Sequence, residues 1–281
     1  MTREPLSVVV ITYNNADTLD ACLREVDWAE EIVVLDSGST DDTVAIAERH
    51  GARVAVHPFD DYGPQKQRAI ELARHDWVLN LDADEILSPG TREVIERALE
   101  HPRHAGFRLP RRERMFWTVQ HRRSWRNGHL RLFDRRRGRM NDVDVHAAVE
   151  VDGPVKTLRA ADFVNDGDCD IATRVEKINR YTTGMVAYKL RRRQRFTGLR
   201  MVFYPPVFFL RQYIGKRYFL NGWAGFIASV TGAFYAFLKY AKLHEAREQA
   251  RLTARANRHD GPPRSRPDGP PPPVAPRTGR R

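Results

Sequence analysis

The sequence predicts an α/β protein built on a mostly parallel β-sheet flanked by helices, followed by a helical C-terminal region. Over the first hundred residues, short apolar runs alternate with segments of helical periodicity, which is the pattern of βαβ units. Two of these runs end directly at an acidic residue, Asp36 and Asp82. In open sheets of this class, ligands bind outside the carboxyl ends of the strands, so both carboxylates are expected to face one pocket.

The elements of this first half follow from local signals. Apolar runs predict strands at residues 7–12, 31–35, 52–57 and 77–81. Asp17 is placed to cap the helix after the first strand, and Ser37 to Asp41 supplies a turn and an N-cap for the next helix. A third helix is predicted from Gly63 to His75. Ser88 followed by Pro89 predicts the start of a fourth, because proline suits the first helical position.

The composition indicates a partner or surface of negative charge. Lysine and arginine total 47 against 36 acidic residues, a formal net charge of +11. Nucleic acid, anionic lipid and phosphorylated glycans all satisfy this requirement, and charge alone does not select among them. The cysteines, Cys22 and Cys169, have no metal-binding spacing and suit a reducing cytoplasm.

The sequence shows neither a signal peptide nor an apolar stretch long enough to cross a membrane. Residues Met1 to Pro5 lack the basic and apolar parts of a signal peptide. The longest mostly apolar stretch, Trp223 to Leu238, is shorter than the roughly 20 residues that span a bilayer. We therefore expect a cytoplasmic protein without a transmembrane helix.

The segment Leu81-Asp82-Ala83-Asp84-Glu85 places two carboxylates one residue apart at a predicted strand end. One of them can reach a divalent cation while the other accepts a sugar or ribose hydroxyl, and Mg²⁺ or Mn²⁺ would suit these oxygen ligands. On its own, Asp-x-Asp also occurs in solvated loops. Its interpretation therefore depends on the segments around it.

Three segments in order, Val8 to Asn15, Val34 to Asp41 and Leu81 to Glu85, together resemble glycosyltransferase family 2. The closest likeness is to lipopolysaccharide core β-glucosyltransferases, which share a Gly-Pro-Gln-Lys segment like Gly63 to Lys66. The resemblance covers roughly residues 6 to 243 and implies the Rossmann-like GT-A fold. It also implies inverting, metal-assisted transfer of a hexose, glucose expected, from a UDP-sugar to an anionic cell-envelope glycolipid.

The resemblance assigns roles to the strand ends. It implies that Thr12 and Tyr13 line the base pocket, that Asp36 accepts a hydrogen bond from uracil, and that Asp82 contacts the ribose. Asp84 would hold the metal. A strand-end carboxylate is a good acceptor for an imide N–H, and an aromatic ring offers a stacking face, although Tyr13 equally suits core packing.

Three further side chains have two interpretations each. Lys66, after a glycine turn at a helix start, either reaches the donor or lies in solvent. Arg131 either binds the diphosphate bidentately or belongs to a solvated basic face. His146 either completes the metal shell or is a hydrogen-bonded histidine.

The predicted acceptor half departs from the family pattern. Segments 128–133 and 143–146 resemble its Arg-Leu-Phe and Val-His-Glu elements, but Ala147 stands where the glutamate is expected. An inverting displacement needs a carboxylate near the acceptor hydroxyl, and the candidates are Asp144 and Asp142, followed by Glu150. In a strand from 143 to 151, alternation would place them on one face with His146.

The resemblance also organises the chain. It implies a GT-A catalytic domain over residues 1–160, with a nucleotide-sugar half near 6–103 and an acceptor half near 104–160. A helical basic and aromatic region is predicted over 161–243, and residues 244–281 form a basic, proline- and arginine-rich tail expected to be disordered.

The aromatic stretch that begins near Gly222 either lies in a membrane interface or packs as a core helix. Flanking lysines and arginines favour the interface, and hence a peripheral position on the cytoplasmic face of the inner membrane.

Other function classes remain at this level. The same fold with a polyprenyl-phosphate acceptor has less need of a base, because its attacking oxygen is already anionic. A non-catalytic donor-binding module would explain Ala147. Nucleic-acid binding by the arginine-rich segment 103–139 would leave Asp36, Asp82 and Asp84 without a role, so no nucleic-acid partner is expected.

Overall fold

The computed structural model describes residues 3–141, 147–167, 170–191 and 197–259. The strands in chain order are β1 (Leu6–Thr12), β2 (Glu31–Asp36), β3 (Arg53–Val56), β4 (Trp77–Asp82), β5 (Glu85–Leu87), β6 (Gly106–Met115), β7 (Thr118–Val119), β8 (Gly128–Asp134), β9 (Gly138–Met140), β10 (Val149–Val151), β11 (Val155–Thr157) and β12 (Phe163–Asn165). The α-helices are α1 (Ala16–Arg24), α2 (Thr43–Arg49), α3 (Tyr62–Leu72), α4 (Thr91–Glu100), α5 (Ile171–Arg191), α6 (Thr197–Leu210) and α7 (Gly222–His259).

The main sheet has the strand order β3-β2-β1-β4-β8-β6-β12-β5. β1, β2, β3 and β4 are parallel, while β8 joins antiparallel to β4 and to β6. Thr12 is in register with Asp36, and Ile11 with Asp82. The carboxyl ends of β1, β2 and β4 therefore meet at one edge, as the sequence predicts.

Strands β1, β2 and β4 are buried on both faces, which is why they read as continuous apolar runs. Val8 and Leu79 belong to a core shared with α1 and α4, while Val9 and Val78 belong to a second core under α3. Both cores hold fully buried aliphatic side chains. The rigid sheet between them positions the strand ends.

β6 organises the second half of the sheet. It pairs with β8, β7, β11 and β12, and β12 in turn pairs antiparallel with β5, with Asn165 in register with Glu85. The sheet thus extends to Asn165, five residues beyond the boundary expected at 160. Residues 163–165 have too short an apolar pattern to predict a strand, and their partners lie far away along the chain.

The predicted start of the fourth helix, with Ser88 as the cap and Pro89 as the first helical residue, is wrong by two residues. The Ser88 amide donates to the Asp162 carbonyl at 2.9 Å, which continues the strand pairing of β5, and α4 begins only after Gly90. Gly90 adopts φ +84°, a left-handed conformation that glycine reaches without strain.

The C-terminal region is helical, as expected. α7 packs against α5 and α6, and a π-helical turn (Arg211–Gly215) and a 3₁₀ turn (Tyr218–Asn221) join α6 to α7. The expectation of disorder from residue 244 is wrong up to His259, because α7 continues that far. Within the described ranges, no helix combines the length and apolar character needed to cross a bilayer.

Candidate active site

A cavity of about 760 Å³, here called the donor cavity, opens at the carboxyl ends of β1, β2 and β4. Its lining residues are Ile11, Thr12, Tyr13, Asn15, Ser37, Phe59, Tyr62, Lys66, Asp82, Ala83, Asp84 and Asn165. Five side chains singled out from the sequence lie on this wall, namely Thr12, Tyr13, Lys66, Asp82 and Asp84. The structure therefore brings most of the predicted donor residues together, while their roles stay predictions.

The turn after β1 presents Tyr13 to the cavity. Asn14 adopts φ +50°, and the Asn15 Oδ1 atom accepts hydrogen bonds from Thr12 Oγ1 at 3.1 Å and from the Tyr13 amide at 3.2 Å. The Tyr13 side chain is 57% exposed, which excludes its alternative interpretation as a core residue. Its ring is free to stack on a planar ligand.

Asp36 holds the turn that follows β2. Its Oδ2 atom accepts from the amides of Gly38 at 2.9 Å and Ser39 at 2.8 Å, and its Oδ1 atom accepts from the Ser39 hydroxyl. The side chain is almost fully buried and lies outside the cavity lining, where its neighbour Ser37 appears instead. The hydrogen bond from Asp36 to uracil stays a prediction.

A group of two acids and two cations, called the ion cluster, includes Asp82, which is partly exposed, and three buried side chains. Its members are Lys66, Asp82, Glu85 and Arg131. Lys66 Nζ pairs with Asp82 Oδ1, while Arg131 Nη2 bridges Asp82 Oδ2 at 3.0 Å and Glu85. Glu85 also accepts from the Asp82 amide at 3.1 Å. Lys66 and Arg131 are both more than nine-tenths buried, so neither belongs to a solvated face.

Electrostatics inside the ion cluster keep Asp82 charged. Burial opposes ionisation of this carboxyl, but the charges of Arg131 and Lys66 outweigh burial and hold the pKa of Asp82 well below its usual range. Burial raises the pKa of Glu85, which Arg131 counteracts. The cluster therefore presents an ionised, immobilised carboxylate at the floor of the donor cavity, suited to accept hydrogen bonds from a ligand hydroxyl.

Asp84 has a different environment two residues along. Its Oδ2 atom accepts from the Asn165 amide group at 3.0 Å, and its carbonyl accepts from the Asp166 amide at 2.8 Å. Burial and the negative charge of Asp82 raise the pKa of Asp84. The charged form of Asp84 is therefore disfavoured, and no cation is bonded to it in the described chain. A divalent ion would stabilise this charged form.

The donor set at Asp84 fits a hard cation. Magnesium and manganese take oxygen ligands, and Mg²⁺ is often held by one or two carboxylates together with substrate phosphates. Among the described residues, no group of three or more His, Cys, Asp or Glu side chains is arranged to hold a metal. His146, the second predicted ligand, lies outside the described residues.

Of the three carboxylates predicted to act on the acceptor side, Glu150 lies within the described residues. Asp142 and Asp144 lie outside the described residues, as do residues 143–146 of the strand expected from 143 to 151, of which Val149–Val151 form β10. Glu150 lies in β10 opposite Arg139 and is exposed, while its neighbours Val149 and Val151 pack on the core. Glu150 is thus exposed and is not among the lining residues of the donor cavity, and the identity of the base stays a prediction.

Sequence reasoning missed several lining residues. Phe59 and Tyr62, with rings 5.1 Å apart, stand about half or more exposed at the cavity mouth, near the start of α3. The available signal was the pair of aromatic residues near the start of the helix that contains Lys66. The sequence around Asn165 gave no such signal, because the pairing of β12 with β5 is what brings Asn165 to Asp84.

Parallel strands that end at a polar cavity edged by two aspartates, joined to a mixed half of the same sheet, define a GT-A-like glycosyltransferase fold. The family model for Glycosyl transferase family 2 matches residues 7–153, and the chain belongs to this family. The family predicted from the three sequence segments is therefore confirmed, and the protein is a glycosyltransferase.

Curated relatives extend the match along the chain. The lipopolysaccharide core biosynthesis glycosyltransferase LpsC of Rhizobium meliloti (strain 1021) is 32% identical over 266 residues, which cover 91% of this chain and 97% of LpsC. An uncharacterized glycosyltransferase of Rickettsia felis is 30% identical, covering 86% of this chain and 90% of its own. The likeness to LpsC thus includes the C-terminal helical region, beyond the segment that the family model matches.

Two solved structures match a smaller part of this chain than these curated relatives do. S. aureus TarS in complex with UDP-GlcNAc is 21% identical with a TM-score of 0.35, covering 39% of this chain and 35% of TarS. Glucosyl-3-phosphoglycerate synthase from Mycobacterium tuberculosis, in complex with Mn²⁺, UDP and glucosyl-3-phosphoglycerate, is 26% identical with a TM-score of 0.34, covering 40% and 44% of the two chains. The likeness is confined to part of the fold.

Proposed function

We propose that this glycosyltransferase moves a hexose, glucose expected, from a UDP-sugar to an anionic cell-envelope glycolipid such as the lipopolysaccharide core. The proposal for the sugar donor depends on the donor cavity. Its wall includes the exposed ring of Tyr13, the charged carboxylate of Asp82 and the carboxylate of Asp84, which a cation would stabilise. The near full-length likeness to LpsC supports the acceptor class.

The nucleotide is proposed to bind along β1 and β4. Tyr13 offers a stacking face for the base, with Thr12 beside it and the Asp36 turn next to it in the sheet. Asp82 accepts a ribose hydroxyl, and its position is set by Lys66 and Arg131 on opposite oxygens. Lys66 lines the cavity and places its charge near the diphosphate, whereas Arg131 acts from below through Asp82.

Asp84, with His146 as the second proposed ligand, would hold Mg²⁺ or Mn²⁺. A bound divalent ion would stabilise the negative charge of the diphosphate leaving group. Asn165 fixes one oxygen of Asp84 through its amide. The proton of the acceptor hydroxyl is assigned to Asp144 or Asp142, with Glu150 third, because direct displacement needs a carboxylate on the acceptor side.

The C-terminal helices are proposed to lie against an anionic membrane surface. Exposed apolar side chains are concentrated on α6, the turns and the first half of α7: Leu199, Val202, Phe203, Val207, Leu210, Ile214, Phe219, Trp223, Phe226, Val230, Phe234 and Phe237. We call these residues the apolar patch. Arg200, Arg211, Lys216 and Arg217 lie between its members in sequence, which suits peripheral binding to anionic lipid at the cytoplasmic face of the inner membrane.

The donor reaction tests this function. Full-length protein is incubated with labelled UDP-glucose, other UDP-sugars, Mn²⁺ and a lipopolysaccharide core acceptor, and transfer and donor hydrolysis are measured. We expect transfer in the wild type and loss of at least about a hundredfold in Asp84→Asn, which keeps the shape but weakens the metal site. Absence of both transfer and hydrolysis with every sugar nucleotide would contradict the proposal.

A second acceptor is favoured by one observation. Ala147 removes the expected carboxylate, and an acceptor that already carries an anionic oxygen, such as polyprenyl phosphate, does not require it. Substituting polyprenyl phosphate for the core acceptor in the same assay separates the two. A protein that binds UDP but turns over neither acceptor, with Asp84→Asn unchanged in partner binding, would instead be a non-catalytic donor-binding module.

A further inference from the structure

A second cavity of about 130 Å³, here called the inner cavity, lies across Lys66 from the donor cavity. Its lining residues are Lys66, Asn80, Arg108, Gly128, His129, Leu130, Arg131, Met140, Ala147, Ala148 and Val149. Asn80 and Arg131 form a buried floor, whereas Arg108 and Ala148 are exposed. The inner cavity is therefore open to solvent at one end and shares the Lys66 wall with the donor site.

The floor carries polar atoms without partners. Both side-chain atoms of Asn80, which is 1% exposed, have no hydrogen bond in the described structure, and neither have Arg131 Nε and His129 Nε2. Asn80 stands in the middle of β4, where its neighbours Leu79 and Leu81 are fully buried apolar residues. Asn80 Nδ2 and Arg131 Nε are buried donors left unpaired, which is costly, so they indicate an occupant that accepts hydrogen bonds. The Asn80 Oδ1 atom needs a donor, which a protonated oxygen of a phosphate group or a water molecule supplies.

The charge of the lining selects the kind of occupant. Lys66, Arg108 and Arg131 line the inner cavity, and no carboxylate is among its described lining residues. Lys66 and Arg131 are paired with Asp82 and Glu85, which do not line the inner cavity. Arg108 has no ion-pair partner in the described part of the chain. Burial and the charges of Arg111 and Arg131 lower the pKa of His129 to about 4, consistent with a positive local potential.

Position 147 explains why the space is open. The family pattern that the sequence resembles has glutamate here, and a longer acidic side chain at this point of the wall would compete for the cavity and bring negative charge to it. Ala147 supplies only a methyl group. The volume corresponds to roughly four water molecules, at about 30 Å³ each, or one tetrahedral oxyanion.

We propose that the inner cavity binds an oxyanion of the acceptor, a phosphate or carboxylate group, through Asn80, Arg108 and Arg131. Its position across Lys66 would hold an anionic acceptor beside the donor. This inference rests on the proposed function for the identity of the acceptor, but not for the presence of the anion site.

Inorganic phosphate is the probe for the site itself. Binding is measured by isothermal titration and by the shift in melting temperature, without UDP or metal and at constant ionic strength against chloride. We expect saturable binding to the wild type, weakened at least about tenfold in Asn80→Leu and in Arg108→Met, since each loses a bond to a charged ligand. Arg49→Met, an exposed arginine of α2, is the matched control and should bind like the wild type.

The Arg108 variant and one further variant allow a clear result even if Asn80→Leu does not fold. Arg108 is exposed, so its variant reports on binding even where Asn80→Leu fails to fold. Ala147→Glu should abolish phosphate binding because it adds a carboxylate to the cavity wall. The absence of saturable binding, equal binding in all variants, or a high-resolution structure in phosphate that shows only ordered water in the inner cavity would overturn the anion site.

A second experiment tests whether the anion in the inner cavity belongs to the acceptor or is free phosphate. The KM of a phosphorylated acceptor is compared with that of the same acceptor after phosphatase treatment. We expect Arg108→Met to raise the first at least about tenfold and to leave the KM for UDP-glucose unchanged. Equal KM values for the two acceptors, together with an unchanged acceptor KM in Arg108→Met, would overturn the acceptor assignment. Absence of any transfer would count against the proposed function, while the phosphate titration still decides the site.

Discussion

At the scale of single residues, Asp82 and Asp84 show how environment divides the work of similar side chains. Asp82 is clamped between Lys66 and Arg131, so it is charged and fixed without any ligand. Among the described side chains, the Asp84 carboxyl group accepts a hydrogen bond from the Asn165 amide, and its pKa is raised by burial and by the charge of Asp82. Two carboxylates one residue apart thereby differ in charge and in bonding, which suits the different partners proposed for them, a hydroxyl for Asp82 and a metal ion for Asp84.

Asn165 is expected to set metal affinity through Asp84. In Asn165→Ala the hydrogen bond at 3.0 Å is lost, and the Mn²⁺ concentration for half-maximal transfer should rise about tenfold to a hundredfold, the usual effect of removing a partner of a metal ligand. Metal titration of the transfer rate measures this effect. Asn127→Ala, at an exposed site outside the donor cavity, serves as control. An unchanged Mn²⁺ dependence would show that Asn165 does not act through the metal.

At the scale of elements, Glu31 ties the start of β2 to its surroundings. Its carboxylate accepts from Ser7 Oγ at 2.6 Å, from the Arg74 amide at 2.7 Å and from Arg53 at 2.9 Å. These bonds join β1 and β3 to the segment after α3 at the bottom of the sheet, opposite the donor cavity. Burial opposes the charge of Glu31, but the hydrogen bonds outweigh it and hold the pKa of Glu31 below its usual value.

The pKa of Glu31 gives a pH dependence of stability. Because the folded pKa lies below the unfolded value of about 4.3, the stabilisation is fully present above that value and is lost as pH falls through the folded pKa. Glu31→Gln should lower the free energy of unfolding at pH 7 by about 1–3 kcal/mol. Urea unfolding of both proteins at pH 7 and at pH 3 to 4 measures the difference, which should shrink at the acid end. A constant difference would assign the effect to lost packing.

At the scale of the whole molecule, the sheet and the C-terminal helices present different surfaces. The sheet buries its apolar residues on both faces, whereas α6 and α7 leave the apolar patch exposed beside basic residues. α7 also packs on α5 and α6, so the two interpretations of this region, interfacial helix and packed helix, describe two sides of one element. A membrane-bound acceptor and the donor cavity would then be held by one chain.

The apolar patch is expected to bind vesicles that contain anionic lipid. The double variant Phe203→Ser and Trp223→Ser removes rings that are 63% and 75% exposed, and it should reduce cosedimentation with phosphatidylglycerol vesicles at least about tenfold while leaving the melting temperature unchanged. Val56→Ser, at an equally exposed site on edge strand β3, is the control. Equal binding by all three proteins would exclude the apolar patch as the membrane contact.

Much of the donor half was predictable because its signals are local. Strands β1, β2 and β4 are continuous apolar runs, and parallel pairing alone implies that Thr12, Asp36 and Asp82 meet at one edge. The acceptor half was less predictable. Glu150 follows a regular alternation yet faces solvent, since Val149 and Val151 occupy the core side of a strand of only three residues.

The sequence by itself determined the family, the parallel strands and the carboxylates at their ends, because a strand's periodicity and its terminal residue are written within a few neighbouring positions. Only the tertiary structure decided that Arg131 lies under Asp82, that Asn165 holds Asp84, and that an inner cavity with unpaired polar atoms lies behind Lys66. The partners in the first two contacts stand 49 and 81 residues apart, and no local pattern records a contact made by strand pairing across that distance.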